Sequence, residues 1–199
     1  MSVDPLAEKY PSLSPFVYTA NNPIIFIDPD GQKIRYSVNV KNNNTYKEQF
    51  SNAVNYLNKH NASGSLAKLE ASNQIYYFDY SGHNSYDPNT RTINWNPFGS
   101  IQMDDGTQLS PSIGLIHESA HALQHDQNPS LIITNDPNIR ANEELRVING
   151  LETDVSRKTG EIGPSEITRN SPDEGSYYPT KGSTTRKVDV NKLMNHGYR

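Results

Sequence analysis

The feature that most constrains the fold is the segment Ser110–His125, in which two histidines stand four residues apart along an apolar helical pattern. Apolar residues recur there with helical spacing at Ile113, Ile116, Ala120 and Leu123. Pro111 suits the first turn of a helix. Residues four apart share one helical face, so His117 and His121 should lie side by side at the edge of the apolar stripe. The pattern predicts a helix packed on a core, with two imidazoles between that core and a cleft.

Glu118 completes the pattern His-Glu-x-x-His, which is typical of zinc-dependent hydrolases. The two imidazoles can bind one Zn²⁺ ion, and Glu118 points beside that ion, where a bound water would lie. Zinc lowers the pKa of such a water toward about 7, and an adjacent carboxylate can accept its proton. We therefore predict His117 and His121 as metal ligands and Glu118 as the general base of peptide-bond hydrolysis.

A catalytic zinc needs a third protein ligand, and the next helical segment offers Glu143, Glu144 and Glu152. At the α-helical period Glu144 falls in the middle of the apolar face, Glu143 points away from it and Glu152 lies on its flank. A carboxylate centred on an apolar face is costly unless it meets a cation or a metal. We predict Glu144 as the third ligand, with a buried salt bridge to Arg140 or Arg146 as the alternative.

Other polar residues are candidates for supporting roles. His125 follows His121 by about one helical turn, so we expect a surface or supporting position rather than a ligand. An oxyanion formed during hydrolysis needs a hydrogen-bond donor opposite the metal. Tyr178 is our prediction for that donor, and the other candidates are Tyr177, Arg169 and His83.

Composition excludes several classes of protein. The chain has no cysteine, so a metal site must use His, Asp or Glu. With 18 Lys and Arg against 22 Asp and Glu the net charge is -4, which argues against nonspecific nucleic-acid binding. The longest apolar run, Ile24–Ile27, is far short of the roughly 20 residues that span a bilayer. We expect no nucleic-acid partner, no membrane insertion and no signal peptide in this chain.

The remaining patterns predict an α+β fold with a small β-sheet. Alternating apolar residues in 34–40 suggest a half-buried strand, and residues 46–59 have helical periodicity. Residues 75–80 and 90–95 read as two strands joined across a loop rich in Gly, Asn, Asp and Pro. Ser, Thr, Gly and Pro from Ser171 onward predict loose order in 171–199.

Residues 1–31 differ from the rest of the chain because five prolines interrupt them and rule out a long helix. They read as short turns and one strand, too small to bury a core, and a flexible arm is the plain alternative. The stretch DPLAEKYPSLSPFVYTANNPIIFIDPDG, residues 4–31, resembles the end of the core region of RHS/YD-repeat polymorphic toxins. That resemblance implies that residues 1–31 are an RHS remnant and 32–199 a toxin domain. A toxin of this kind is delivered into a target cell by a secretion system and has a cognate immunity protein.

Two further resemblances concern the histidine helix. His117 to His121 together with the Glu-Glu-Leu-Arg run at 143–146 is similar to the gluzincin arrangement of clostridial neurotoxin light chains, which implies that Glu144 is the ligand. The pair IHESAHAL and NEELRVINGLE resembles NleD-like type III effector metallopeptidases. This implies a zincin-like fold and a zinc endopeptidase that cuts a protein substrate in another cell.

Two other function classes remain as alternatives. One is a non-catalytic or degenerate metal-binding payload, whose structural zinc would normally have four protein ligands. The other is a nuclease payload, which would need a basic surface that the composition does not provide.

Overall fold

The computed structural model describes residues 33–132 and 136–187. Those residues form a mixed α and β fold, as the sequence predicted. The RHS-like segment 1–31 and residues 188–199 lie outside them. Among the described residues, no helix is long and apolar enough to cross a membrane.

A mixed β-sheet forms one side of the core. Its strands are β1 (Ile34–Tyr36), β2 (Tyr76–Tyr80), β3 (Ser85–Asp87) and β4 (Thr92–Trp95), and their order within the described residues is β1-β2-β4-β3. β1, β2 and β4 run parallel, whereas β3 pairs with β4 in the antiparallel direction. The alternation predicted for these strands is visible in β4, where Ile93 and Trp95 are buried.

Two helices cross over from β1 to β2 and cover the sheet. They are α1 (Asn44–Lys59) and α2 (Gly64–Glu70). The buried side chains of α1 recur at helical spacing, at Tyr46, Phe50, Ala53, Val54 and Leu57. The Phe50 ring packs 4.8 Å from that of Phe78 in β2. This aromatic contact packs α1 against β2 of the sheet.

A second sheet joins distant parts of the chain. β5 (Gly99–Gln102) pairs with β6 (Gln108–Leu109) and, on its other side, with β7 (Ser176–Pro179). The segment from Ser171, for which the composition predicted loose order, thus contributes a strand. Beyond it, the Ser183 carbonyl accepts hydrogen bonds from the Ser112 N–H and hydroxyl. These hydrogen bonds hold this part of the chain against the start of the helix Pro111–Gln127.

Helix α3 (Pro111–Gln127) contains the two histidines and lies at the centre of the molecule. All of its residues from Pro111 to Ala122 are buried, because the sheets, α2 and the later helices all pack on it. The Trp95 indole N–H donates to the Pro111 carbonyl at 2.8 Å. Glu161 accepts from the Ser110 N–H at 2.6 Å and from its hydroxyl at 2.7 Å, which satisfies the helix N-terminus.

The second helical segment is interrupted. After α4 (Pro129–Ile132) come α5 (Pro137–Val147), a π-helical turn (Ile148–Glu152) and α6 (Thr153–Lys158). In the π turn the Thr153 N–H donates to the Ile148 carbonyl, five residues earlier. The wider turn changes the face on which the following residues lie.

Two details of the strand predictions differ from the structure. β1 ends at Tyr36, and Val38 is 77 % exposed, because the chain turns back through residues 37–41 toward α1. The loop predicted between the strands at 75–80 and 90–95 contains β3, and the two flanking strands β2 and β4 are parallel neighbours.

Candidate metal centre

The three predicted ligands come together. His117 Nε2 and His121 Nε2 lie 3.1 Å apart. Glu144 of α5 places Oε2 3.2 Å from His117 Nε2 and Oε1 3.4 Å from His121 Nε2. Tetrahedral coordination with bonds of about 2.0–2.1 Å separates donor atoms by about 3.3 Å. His117, His121 and Glu144 therefore fit a metal ion and could hold one.

A buried carboxylate orients His117. Glu152 Oε2 lies 2.6 Å from His117 Nδ1. Because an ionised carboxylate only accepts hydrogen bonds, Nδ1 carries the proton and Nε2 points to the metal centre. Glu152 is 1 % exposed, and Arg169 donates to it from Nη2 at 2.9 Å and from Nε at 3.2 Å. The Thr168 hydroxyl adds a fourth donor at 2.5 Å.

His121 has a matching but more exposed partner. Its Nδ1 lies 3.1 Å from Glu143 Oε1, and the Glu143 side chain is 12 % exposed. Arg146 donates to Glu143 from Nε and Nη2, each at 2.7 Å. Both histidines thus donate from Nδ1 to a carboxylate that is itself paired with an arginine, the arrangement that usually supports metal-binding histidines.

The electrostatics of the cluster favour positive charge. Burial lowers the pKa of His117, but hydrogen bonds to Glu144 and Glu152 outweigh it and raise that pKa to about 10. Burial raises the pKa of Glu152, but His117 and Arg169 outweigh it and lower that pKa to about 2. The pKa of Glu144 is likewise lowered, because its hydrogen bonds to both histidines outweigh its burial. The carboxylates around the two imidazoles thus favour positive charge at this place, either as protons on the imidazoles or as a metal ion that displaces them.

Glu118 is placed differently from the other carboxylates. It is buried on α3 beside His117, and no hydrogen bond joins its carboxylate to another described residue. Burial raises its pKa, although the charges of His117 and His121 oppose the rise. A carboxylate with a raised pKa is suited to accept a proton and give it back.

A cleft of about 780 Å³ opens at the metal centre. It is lined by residues of α3 and α5 and, around β3, by residues 83–86, 88 and 89. Gly114 of α3 also lines it, and a Cβ there would come within 2.2 Å of the Asn84 side-chain nitrogen. The glycine thus allows the loop before β3 to approach the helix closely.

Of the two candidate tyrosines, Tyr177 rather than the predicted Tyr178 lies at the cleft. Tyr177 lines the cleft, whereas Tyr178 is not among its lining residues. The reason is strand geometry, since successive side chains of β7 point to opposite faces. Tyr177 lies over Gly99, where a Cβ would overlap its hydroxyl, and its ring lies 5.8 Å from that of His83.

Arg169 and His125 also differ from expectation. The Arg169 guanidinium, a candidate oxyanion donor, binds Glu152 through Nε and Nη2 and the Pro172 carbonyl through Nη1. His125 is buried rather than on the surface, and its Nδ1 lies 2.6 Å from the Tyr86 hydroxyl. Neither side chain takes part in the ligand set of the metal centre.

Glu144 is a neighbour of both histidines, as predicted, but it is not buried on an apolar face. The Glu144 side chain is 39 % exposed at the cleft, and within α5 the buried side chain is Val147. Glu152, predicted on the flank, is the buried one. The π turn explains this because the α-helical period does not hold across it. Arg146, the alternative salt-bridge partner of Glu144, pairs with Glu143 instead.

Sequence reasoning missed the support provided by Thr168 and Arg169, which follow α6 and have no motif. A weak signal existed, because metal-binding histidines need a hydrogen-bond acceptor and Glu152 was available.

Comparisons with models of protein families, with curated proteins and with solved structures found no match to this chain.

Proposed function

We propose that this chain is a zinc endopeptidase of gluzincin type with a zincin-like fold. The observation that carries the proposal is the convergence of His117, His121 and Glu144 at an open cleft, with Glu118 buried beside them. A structural zinc site would normally have four protein ligands, whereas these residues leave a position free. Imidazole and carboxylate donors in this number suit zinc.

In this proposal each carboxylate near the metal centre has its own role in hydrolysis. Zinc in this site would lower the pKa of water and polarise a substrate carbonyl. Glu118 accepts a proton from the attacking water on its carboxylate and returns it to the leaving nitrogen. Glu152 and Glu143 hold the two imidazoles in the orientation and tautomer that the site needs. We assign no oxyanion donor to Arg169, because its three nitrogens already donate to Glu152 and Pro172.

The cleft favours an extended polypeptide as the substrate. β3 pairs with β4 on one side and, within the described residues, has no strand on the other. Ser85 and Tyr86 of β3 line the cleft. The free backbone groups of such a strand can pair with an extended chain, which would then pass over the metal centre.

The resemblance of residues 4–31 to RHS/YD-repeat proteins supports a biological setting. In this proposal the domain of residues 32–199 is a toxin or effector delivered into another cell. Its partners are a protein substrate there and a cognate immunity protein in the producing cell.

The test combines metal content with cleavage. Elemental analysis of the purified chain should give near-stoichiometric zinc, and His117→Ala and Glu144→Ala should each lose it. Glu118→Gln should keep zinc and lose cleavage of a peptide library read by mass spectrometry. Zinc binding with no cleavage by the unchanged chain would favour the non-catalytic alternative. Cleavage by the Glu118→Gln variant at the original rate would exclude the proposed mechanism.

A further inference from the structure

The charged groups that line the cleft are almost all engaged with the metal centre. Glu144 and the two histidines form the ligand set, and Glu143 pairs with Arg146. Arg169 is bound to Glu152. Glu118 is buried beside the ligands. The remaining charged lining residue is Arg140.

Arg140 lies on α5 one turn before Glu144 and is exposed at the cleft. Residues four apart on a helix have Cβ atoms about 6 Å apart, so the two side chains share one face. The alternative salt bridge between Glu144 and Arg140 is not formed, since Glu144 contacts the two histidines instead. No carboxylate within the described part of the chain pairs with Arg140.

The other described residues that line the cleft carry no fixed charge. They include Asn84, Ser85 and Asn89 on the β3 side, together with His83, Tyr177 and Ile101. Among the described residues that line the cleft, the guanidinium is therefore the one fixed positive charge outside the engaged groups named above. It offers planar, paired donors of the kind that bind carboxylates.

We propose that Arg140 forms a subsite for a substrate carboxylate close to the bond that is cut. The inference rests on the proposed peptidase function and specifies its substrate class. The carboxylate is either the side chain of an aspartate or glutamate or the C-terminus of the substrate. In the first case the chain cuts within acidic sequences, and in the second it removes C-terminal residues.

The first experiment compares cleavage profiles in a peptide library prepared with free and with amidated C-termini. The unchanged chain should cut with an acidic residue enriched about tenfold at one fixed position, as one hydrogen bond to a charged group would give. If the carboxylate is terminal, amidation should instead slow cleavage by about tenfold. Arg140→Gln should lose the preference, and Arg140→Glu should shift it toward Lys and Arg.

Arg35→Gln is the matched control. Arg35 is exposed on β1, at the opposite edge of the first sheet from β3, so its loss changes net charge equally without touching the cleft. Its profile should equal that of the unchanged chain. A profile without any carboxylate preference, or one that Arg140→Gln leaves intact, overturns the subsite.

A second experiment does not depend on turnover. Calorimetry with the zinc-loaded Glu118→Gln variant should show tighter binding of glutamate-containing peptides than of matched glutamine peptides, again by about tenfold. Adding Arg140→Gln should remove the difference. If the library is not cut but this difference persists, the peptidase function fails and the carboxylate subsite stands. If the two peptides bind equally and C-terminal amidation has no effect, the subsite fails whether or not the chain is a peptidase.

Discussion

At the scale of single residues, the two histidine ligands have orienting carboxylates of unequal burial. Glu152 behind His117 is enclosed and receives donors from Arg169 and Thr168. Glu143 behind His121 lies nearer the surface, and its arginine is exposed. A buried hydrogen bond to a charged group contributes more than a solvent-exposed one, because water competes less for its atoms. The His117 side of the metal centre should therefore be the more rigid.

This inequality predicts different effects of two equivalent substitutions. Glu152→Gln should weaken zinc binding by about 10–100-fold, the usual cost of losing such a partner. Glu143→Gln should weaken it less. Competition with a chromophoric chelator measures both affinities, and circular dichroism checks that each variant folds. A larger loss in Glu143→Gln than in Glu152→Gln would contradict the assignment.

A second prediction at this scale concerns pH and His125. Burial lowers the pKa of His125, and the charge of Arg91 lowers it further, while Asp126 opposes them. The folded protein keeps the ring neutral, so its Nδ1 can accept from the Tyr86 hydroxyl. As pH falls through the unfolded pKa of about 6.5, the unfolded chain binds a proton that the folded chain does not. This contribution to stability is therefore present above that pH and lost below it.

Urea unfolding from about pH 7 to about pH 5 measures the effect. His125→Gln should lose less stability over this range than the unchanged chain. His83→Gln, at an exposed histidine, should match the unchanged chain. Identical pH slopes for the chain and His125→Gln would show that His125 does not contribute in this way.

At the scale of elements, helix α3 begins at a buried carboxylate. Glu161, which follows α6, receives the Ser110 N–H and hydroxyl and also the Tyr56 hydroxyl at 2.9 Å. A negative charge at a helix N-terminus is favourable because the free N–H groups there carry partial positive charge. One side chain thus joins α1, α3 and the segment after α6.

Glu161→Gln should lower the free energy of unfolding by about 1–3 kcal/mol, since a neutral amide replaces a buried charged acceptor. Glu166→Gln is the control, because Glu166 is exposed and accepts from the nearby Gly163 N–H. Its effect should stay within about 0.5 kcal/mol. Equal effects of the two substitutions in urea unfolding would indicate that Glu161 is not important for the start of α3.

At the scale of the whole molecule, the metal centre connects parts of the chain that are distant in sequence. Two of the candidate ligands come from α3 and one from α5, and the carboxylate behind His117 comes from the π turn. A metal that binds the folded chain and not the unfolded one stabilises the fold in proportion to the logarithm of its concentration.

Zinc should therefore raise the melting temperature. At a free concentration of about 100 times Kd the gain is about 2.7 kcal/mol, or roughly 5–10 °C for a domain of this size. Glu118→Gln should show the same rise, and His117→Ala should show none. Scanning calorimetry with zinc and with a chelator measures the shift. A rise of equal size in His117→Ala would place the metal elsewhere.

Short-range patterns predicted much of the fold and the main part of the site. The periodicity of residues 46–59 predicted α1, and the spacing of His117 and His121 placed both ligands on α3. Glu144 lies beside both histidines as predicted, but it is partly exposed, so the premise that placed it on a buried apolar face was wrong. The predictions for α1 and α3 succeeded because a regular helix relates residues three or four apart by a fixed geometry.

The sequence by itself indicated which residues could hold a metal ion, because helical spacing and the chemistry of the side chains are local properties. Only the tertiary structure decided what supports them. Glu152 reaches His117 because a π turn breaks the α-helical period, and Arg169 reaches Glu152 after the chain has left α6. Tyr177 faces the cleft because β7 pairs with a strand more than seventy residues earlier. Such contacts depend on how distant segments pack, and no periodicity within one segment encodes them.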